Sequence, residues 1–360
     1  MSEVKTPNHA LSEMKCPVHL GDVDLFGAGA QEHWYEAYEL LHAAAPVHCL
    51  LGDGMVPGTD AYVLSKHEDI AAVVRDQDRF PLPSAAFVRQ LAERARDAEE
   101  ATNVNTMVAA MTTLRPNPKM WRSHRQELTD PWVGPGASRN TEMVQRVTDE
   151  LIDGWIDRGE VEFVGEFSRA LPQIVMANIL GWPTADLKLL KHYGDGCVKA
   201  FVYGSGPTHT LPPEEVESQF VVLDEFKQYT HELILHKRQH PADDMISFLT
   251  EVEYSPLKRK LTDLEINGIV YAMVIGGLET TQYALSEQVQ LLIEHAGVWD
   301  ALKSDRSKIR AFTEEGMRLR APTQGLSTRM TSQDEVIRLV KRALDDAGIE
   351  IPFPYRTLTF

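Results

Sequence analysis

A single helical pattern, running from Thr262 to His295, most constrains how this chain can fold. Thr262 and Glu265 have the spacing of a capping box, in which each side chain accepts a hydrogen bond from a backbone N–H of the first turn. Gly297 follows the last apolar positions and fits a C-terminal cap. The predicted helix has about 33 residues and a length of roughly 50 Å at 1.5 Å per residue. Such a helix would span a whole domain.

The middle of this helix, VIGGLETTQYAL at 274–285, carries polar and small residues where a core helix normally has leucine and valine. Gly276 and Gly277 each cost about 1 kcal/mol relative to alanine, but they let a flat ligand or another backbone approach. Thr280 can bond the carbonyl four residues back and loosen the helix. With Glu279 beside it, such a turn could bind a small polar molecule or relay a proton. The alternative is a close helix crossing, with Glu279 reaching solvent or a cation.

Two further pairs have helical spacing. Trp121 and Arg125 are four residues apart, so an indole donor and a guanidinium fork share one face that suits a carboxylate or a phosphate. The alternative is a half-buried indole covered by the arginine stem. Glu315 and Arg318 are three residues apart and can form an ion pair, although most such pairs are solvated and stabilise by under about 1 kcal/mol.

Composition excludes several classes of protein. The net charge of −17 and the absence of a basic run argue against nucleic acid and anionic membranes as partners. The three cysteines are far apart, so neither a disulfide framework nor a zinc site is predicted from their spacing. The most apolar run, 266–278, is too short to span a membrane. The N-terminus is polar and has no secretory signal pattern, so we expect a cytoplasmic protein.

The rest of the chain reads as helices separated by proline and glycine. Two short strands are predicted within 47–65, and an irregular segment within 81–118. Helices are predicted near 119–129, 140–158 and 161–181, then twice within 185–240, and near 306–320 and 334–346. These patterns predict a fold that is mainly α with a small β-sheet.

The motifs occur in a particular order: Trp-x-x-x-Arg at 121–125, Gly-Gly-x-Glu-Thr-Thr at 276–281, and Glu-x-x-Arg at 315–318, followed by RMTSQD at 329–334. In this order the chain resembles a bacterial, soluble cytochrome P450, over about residues 15–335. The resemblance implies the cytochrome P450 architecture and a haem b cofactor with its iron. Gly276 and Gly277 would let the macrocycle lie close to the long helix. Thr280, with Glu279 beside it, would relay protons during oxygen activation.

The resemblance also implies residues at the edge of the haem. Trp121 and Arg125 would bind one propionate, and Arg329 would bind the other. Glu315 and Arg318 would form the structural ion pair that fixes the proximal side.

Members of this family are monooxygenases, that is, oxidoreductases that insert one oxygen atom into a C–H or C=C bond of a small molecule. They take electrons from a ferredoxin or a flavodoxin. Phe87, Val104, Met107 and Phe201 lie in regions that would line the pocket and indicate an apolar substrate.

The chain departs from the family pattern at the iron ligand. A haem-thiolate enzyme needs a cysteine sulfur on the iron, and the family supplies it after the Glu-x-x-Arg helix. No cysteine follows Cys197 in these 360 residues. We therefore expect a cytochrome P450 architecture that is incomplete, or truncated, at the C-terminus, with no metal ligand assigned and impaired oxygen activation.

The last residues have a different character. From about residue 336 to 360 the sequence resembles the C-terminal tail of small mechanosensitive channels, with a helix, a turn at Gly348 and a proline-interrupted strand. We expect a cytochrome P450-like domain over 1–335, lacking the cysteine loop and the last helix, and a foreign helix–strand tail over 336–360. The alternatives to a monooxygenase are a non-catalytic helical protein that binds small molecules and a non-functional fragment.

Overall fold

The computed structural model describes residues 16–25, 33–51, 60–76, 79–80, 107, 110–203, 213–322, 325–327 and 357–359. The helices are α1 Trp34–Ala44, α2 His67–Arg75, α3 Pro118–His124, α4 Thr141–Asp153, α5 Ala170–Leu180, α6 Leu187–Tyr203, α7 Pro213–Gln239, α8 Met245–Glu251, α9 Asp263–Gly277, α10 Glu279–Glu294, α11 Ala296–Ser304 and α12 Ile309–Leu319. The strands are β1 Val47–Leu50, β2 Ala61–Leu64, β3 Glu253–Tyr254, β4 Arg259–Lys260, β5 Gly325–Ser327 and β6 Thr357–Thr359. Two π-helical turns lie at Arg125–Thr129 and Val164–Ser168.

The chain divides into two compact units. The sheet unit comprises Met1–Pro83, Val202–Pro212 and Gln324–Phe360. The helical unit comprises Ser84–Phe201 and Pro213–Thr323.

The sheet unit is organised around a four-stranded sheet with the order β1-β2-β6-β5. Strands β1 and β2 form an antiparallel pair in which Val47 lies opposite Leu64, β2 and β6 are also antiparallel, and β5 and β6 are parallel. Leu64 packs with Ile70 and Val73 of α2, while Val63 packs with Leu41 of α1. Two consecutive residues of β2 therefore bury against two different helices, because successive side chains of a strand point to opposite faces of the sheet.

The core of the helical unit surrounds α9. Buried apolar side chains of this helix join one cluster with residues of the helices on which it packs, α5, α7 and α8. The predicted capping box is formed: Glu265 N–H donates to Thr262 Oγ1 at 3.3 Å and Thr262 N–H donates to Glu265 Oε2 at 2.8 Å. Asn267 ties α9 to α7 by donating from Nδ2 to the Lys227 carbonyl at 2.9 Å.

The fold class predicted from the sequence, mainly α with a small β-sheet, is confirmed. Two details of the long helix were wrong. The predicted single helix is divided at Leu278 into α9 and α10, where the backbone stays in the right-handed helical region, with φ at −88° and ψ at −72°, but the Leu278 N–H to Val274 carbonyl bond is long, at 3.4 Å. Gly297 does not cap it, because α10 ends at Glu294 and Gly297 lies inside α11.

Two other helices are shorter than predicted. The helix predicted near 140–158 ends at Asp153, followed by Gly154 and a separate 3-10 turn at Ile156–Arg158. The helix predicted over 161–181 begins with the π-helical turn Val164–Ser168, and only Ala170–Leu180 is α-helical. The predicted end of that helix is confirmed, since Gly181 has a φ of +74°, which glycine adopts readily. The helix predicted near 334–346 lies outside the described residues.

Candidate functional site

The centre of the site is the break between α9 and α10. The hydrogen bond from the Leu278 N–H to the Val274 carbonyl is long, at 3.4 Å, so the helical ladder is weakened at this residue. The hydroxyl of Thr280 donates to the carbonyl oxygen of Gly276 at 2.6 Å. This is the bond to the residue four positions back that the sequence allows for a threonine inside a helix. It gives a backbone carbonyl beside the break a side-chain partner.

The two glycines before the break have different surroundings. A Cβ built on Gly276 would meet no atom within 4 Å, so one face of the helix is open there. A Cβ built on Gly277 would collide with the Cε of Met176 on α5. Gly276 therefore has the open surface that a flat ligand needs, whereas Gly277 permits the close helix crossing that the sequence offered as the alternative.

Glu279 begins α10 and is half-buried. Burial raises the pKa of its carboxyl group, and the negative charge of Asp195 on α6 adds to the rise. The positive charge of Lys191, a hydrogen bond with Tyr283 and the charge of Arg169 oppose it, but the pKa remains above its ordinary value. A carboxyl group in this state holds a proton at higher pH than a solvated one, which suits an acid or a relay.

Trp121 and Arg125 lie at α3 and at the π-helical turn that follows it. The Asn117 side chain begins α3 by accepting a hydrogen bond from the Met120 N–H at 3.0 Å. The indole of Trp121 is exposed, at 43%. Arg125 pairs with Asp130 at 2.9 Å, and its side chain is 40% exposed. Among the described contacts, none places these two side chains on a common partner.

His124, between the two predicted residues, is a candidate that the sequence reasoning missed. It is 2% exposed, and neither Nδ1 nor Nε2 has a hydrogen-bond partner among the described residues. Burial, with the positive charges of Arg115 and Arg125, lowers its pKa to about 3. The imidazole is therefore neutral at ordinary pH and has one unused N–H donor. Met120, His124 and Leu128 recur at helical spacing, and this stripe was the signal that could have identified it.

Arg115 is half-buried and is the second base of this region. Burial, followed by the charge of Arg125, lowers the pKa of its guanidinium. One of its terminal nitrogens lies 3.4 Å from the Met111 sulfur, and none of the ion pairs among the described residues includes it. His124, Arg115 and Arg125 together form a basic cluster with spare donors, which is suited to an anion.

Glu315 and Arg318 are brought together as the sequence spacing predicts. Arg318 donates twice, from Nε to Oε2 at 2.7 Å and from a terminal nitrogen to Oε1 at 2.5 Å. The hydrogen bond from Arg318 lowers the pKa of the Glu315 carboxyl. Both side chains are half-exposed, at 54% for Glu315 and 49% for Arg318.

The residue after the C-terminal end of α12 makes connections that sequence reasoning missed. Arg320 donates to Glu287 at 3.2 Å and to Glu294 at 2.8 Å, both on α10. Gly316 is buried against Gln288 of the same helix. These contacts hold α12 on α10.

The structure places none of the remaining predicted residues at the helix break. Arg329, Phe87 and Val104 lie outside the described residues, as does the side chain of Phe201. Met107 is fully buried, with its backbone carbonyl close to Gly268, so it belongs to the core rather than to an open pocket. Cys197 is buried in the core on α6, and burial raises its thiol pKa, which disfavours the thiolate that binds iron.

Comparison with known proteins places this geometry in context. No protein-family model matches the chain. A cytochrome P450 of Priestia megaterium is 25% identical over 284 residues, which are 77% of this chain and 65% of that protein. Cytochrome P450(MEG) of the same species is 29% identical over 267 residues, 73% of this chain and 61% of that protein. The biotin biosynthesis cytochrome P450 of Bacillus subtilis is 26% identical over 309 residues, 83% of this chain and 70% of that protein. The chain spans less than two thirds of the length of the first two relatives.

Solved structures agree with the sequence relatives. P450BioI, in complex with an acyl carrier protein ligated to hexadec-9Z-enoic acid, has a TM-score of 0.67 at 22% identity, covering 81% of this chain and 70% of that one. A mutant of P450 EryK in complex with erythromycin B has a TM-score of 0.65 at 22% identity, covering 92% of this chain and 74% of that one. The chain therefore has the cytochrome P450 fold and is similar to bacterial cytochromes P450 over most of its length, which confirms the resemblance predicted from the ordered motifs.

No described helix combines the length and the apolar character that crossing a bilayer requires.

Proposed function

We propose that this chain carries the oxygen-side half of a cytochrome P450 monooxygenase site, which acts on an apolar small molecule. The main support for this proposal is the hydrogen bond that the Thr280 hydroxyl donates to the Gly276 carbonyl at the helix break. The helix face at Gly276 is open. A hydroxyl, a half-buried acid and an open glycine at one helix break match the needs of proton delivery beside a flat cofactor.

Two features of the described residues fit a haem b group. Gly276 leaves room for a flat ring, since a side chain there would meet no atom within 4 Å. The single N–H of the neutral, buried His124, near the charges of Arg115 and Arg125, suits a carboxylate group at the edge of the ring. We propose that these residues, with Trp121 and Arg329, hold those carboxylates, and that Glu315 and Arg318 fix the proximal side.

Haem supplies the oxygen-activating chemistry when it is bound. The chain's own residues position and transfer protons. The Thr280 hydroxyl directs its hydrogen to the Gly276 carbonyl, which leaves its oxygen lone pairs available to accept a hydrogen bond. Glu279, adjacent in sequence and with a raised pKa, can carry a proton closer to neutral pH. Positioned proton transfer of this kind accelerates reactions by about 10²–10⁴-fold.

The iron ligand does not fit. The 360 residues have no cysteine after Cys197, and that thiol is buried with a raised pKa. We therefore propose that these 360 residues take up haem weakly and do not insert oxygen on their own. The division into a cytochrome P450-like part over 1–335 and a foreign tail over 336–360 belongs to this proposal. Sequencing the genomic locus on both sides of the codon for Ile337 tests it, and a continuous transcribed frame coding for this tail would count against a foreign origin.

The electron donor would be a ferredoxin or a flavodoxin, which follows from the resemblance. Rapid mixing of the haem-loaded chain with a reduced ferredoxin tests this part. If the chain retains the surface that binds the electron donor, the bound haem should be reduced on a millisecond to second timescale. A reduction rate equal to that of free haemin would contradict a ferredoxin as the donor.

Haemin titration with a matched pair of variants tests the site itself. Gly276→Leu places a large side chain on the open face and is expected to weaken haemin binding at least about tenfold, equivalent to roughly 1.4 kcal/mol. Gly297→Leu is the control, because a Cβ at Gly297 on α11 also meets no atom within 4 Å. Equal affinities for both variants would show that haemin does not use the face at Gly276.

A non-catalytic protein that binds small molecules is the second candidate, favoured by the open face at Gly276 and by the raised pKa of the buried Cys197 thiol, which disfavours iron binding. Under this alternative, the chain without haem binds apolar ligands, and the titration shows no saturable haemin uptake. The two candidates are thus separated by one pair of titrations on the same protein.

A further inference from the structure

Three metal-ligating side chains of the sheet unit lie together at the start of α1. The Cys16 sulfur, a His33 ring nitrogen and a Glu36 carboxylate oxygen all lie within 4.8 Å of one another. Cys16 and Glu36 are exposed and His33 is half-buried, so the group is open to solvent on one side. Nothing in the proposed oxygenase site uses these residues.

Local structure explains why two of the three meet. His33 is the residue that precedes the first turn of α1, and Glu36 lies within that turn. Residues three positions apart at a helix start share one face, so the imidazole and the carboxylate point to the same side.

The third ligand is positioned by packing. Leu20, Val23 and Leu25 pack in one cluster with Leu41 of α1, so the segment that begins at Cys16 lies along this helix. The segment is also ordered by its own turn, in which the Asp22 carboxylate accepts from the backbone N–H groups of Val18 and His19 at 3.2 and 2.9 Å. The residues that follow Cys16 are therefore held along α1 by contacts that do not depend on a metal, and the Cys16 sulfur lies near His33 and Glu36.

We propose that Cys16, His33 and Glu36 bind a divalent transition-metal ion of the zinc type. A sulfur, a nitrogen and an oxygen donor are the ligands that Zn²⁺ takes in proteins, with bonds of about 2.0–2.3 Å. In a tetrahedral site such bonds place the ligand atoms roughly 3.3–3.8 Å apart. Closing from 4.8 Å requires a shift of about 1 Å, which rotation of exposed side chains supplies.

The site has three protein ligands, so water completes the tetrahedron. Binding involves no electron transfer: zinc-type ions bind a thiolate, a neutral imidazole and a carboxylate, so the thiol proton of Cys16 passes to solvent when the metal–sulfur bond forms. Because the ligands come from two segments, the bound ion would tie the 16–25 segment to α1 and stabilise the folded sheet unit by mass action.

Titration of the reduced 360-residue protein with Co²⁺ and then Zn²⁺ tests the proposal. We expect one equivalent of Co²⁺ to produce a thiolate-to-cobalt charge-transfer absorption, Zn²⁺ to displace it, and about one proton to be released per ion. Cys16→Ser should abolish the charge-transfer absorption. His33→Gln and Glu36→Gln should each weaken binding at least about tenfold, since even the loss of an outer-shell partner costs 10–100-fold.

Cys49→Ser is the matched control, because it removes a half-buried thiol from β1 of the same unit. It should leave the absorption and the affinity unchanged. The proposal is overturned if no stoichiometric ion binds, if the absorption survives Cys16→Ser, or if Cys49→Ser removes it. The readout needs no haem, so it is independent of the proposed oxygenase function.

Discussion

The Thr280 hydroxyl lies 2.6 Å from the carbonyl oxygen of Gly276 and donates to it across the break at Leu278. The long helix of this fold is therefore two helices joined at one residue. Gly277 lies directly before the break and Glu279 and Thr280 directly after it, so the position of the break determines which chemical groups flank it.

The hydroxyl of Thr280 is expected to stabilise the break. Thr280→Val keeps the shape of the side chain but removes the donor, and it should lower the free energy of unfolding by about 0.5–1.5 kcal/mol. Thr280→Ser keeps the donor and should remain within about 0.5 kcal/mol of the parent protein. Urea unfolding of the three proteins gives these values. A larger loss for Thr280→Ser than for Thr280→Val would show that the methyl group, rather than the hydrogen bond, matters.

The two glycines should respond oppositely to the same substitution. Gly276→Ala adds a methyl group to open space and reduces the freedom of the unfolded chain, so stability should rise by about 0.5–1 kcal/mol. Gly277→Ala forces the flexible Cε end of buried Met176 to move, which offsets that gain and costs up to about 1 kcal/mol. Thermal unfolding of both variants measures the difference. A Gly277→Ala protein as stable as Gly276→Ala would argue against the close helix crossing.

His124 should make the protein more sensitive to acid. Its pKa is about 3 in the folded protein and near 6.5 when unfolded, so below pH 6.5 the unfolded chain gains a proton that the folded protein does not take up. His124→Leu removes this penalty, and its stability relative to the parent should rise by about 2 kcal/mol between pH 7.5 and pH 5.

Urea unfolding at both pH values measures this change, and the exposed His240 supplies the control through His240→Gln. The control should follow the parent protein at both pH values. A His124→Leu protein that also follows the parent would mean that His124 is not held neutral in the fold.

The start of α9 should depend strongly on Glu265. Burial alone would raise the pKa of this carboxyl, but the hydrogen bonds from Arg259 and Thr262 outweigh it and leave the pKa lowered. Glu265→Gln loses a charge-assisted pair and should lower the free energy of unfolding at pH 7 by about 1.5–3 kcal/mol.

The stability lost in Glu265→Gln should become smaller as the pH falls through the lowered pKa of Glu265, because the parent protein is then protonated and no longer has the ion pair. Glu251→Gln is the control, since Glu251 pairs with Lys260 on the exposed surface and the exchange should change stability by less than about 1 kcal/mol. Losses of the same size for both variants at pH 7 would contradict the role given to Glu265.

Local features of this fold could be predicted from the sequence, and features that depend on packing could not. The capping box at Thr262 and Glu265 was predicted because its partners are three residues apart, and the same holds for the pair of Glu315 and Arg318. The division at Leu278 was missed because Thr280 allows either a loosened or a divided helix, and the surrounding packing decides between them. The composition of the break was recognised, but its geometry was not.

The candidate site shows the same limit. Trp121 and Arg125 were chosen for their side-chain chemistry, yet His124 between them is the buried residue with unpartnered nitrogens. Whether one residue of a helix is buried depends on which face of the helix packs against the core. Leu128, four residues after His124, lies on the same face and indicated it in the sequence. The proximity of Cys16 to His33 could not be predicted, because it arises from the packing of a separate segment against α1.

The absorption spectrum of the reduced, carbon-monoxide-bound protein tests the central claim most directly. The claim is that these 360 residues contain the oxygen-side half of the haem site and no cysteine that binds the iron. The purified 360-residue chain, reconstituted with haemin and reduced, is predicted to show no thiolate-type Soret band. Any thiolate-type band would contradict the account, and Cys16→Ser, Cys49→Ser and Cys197→Ser would show which thiol binds the iron.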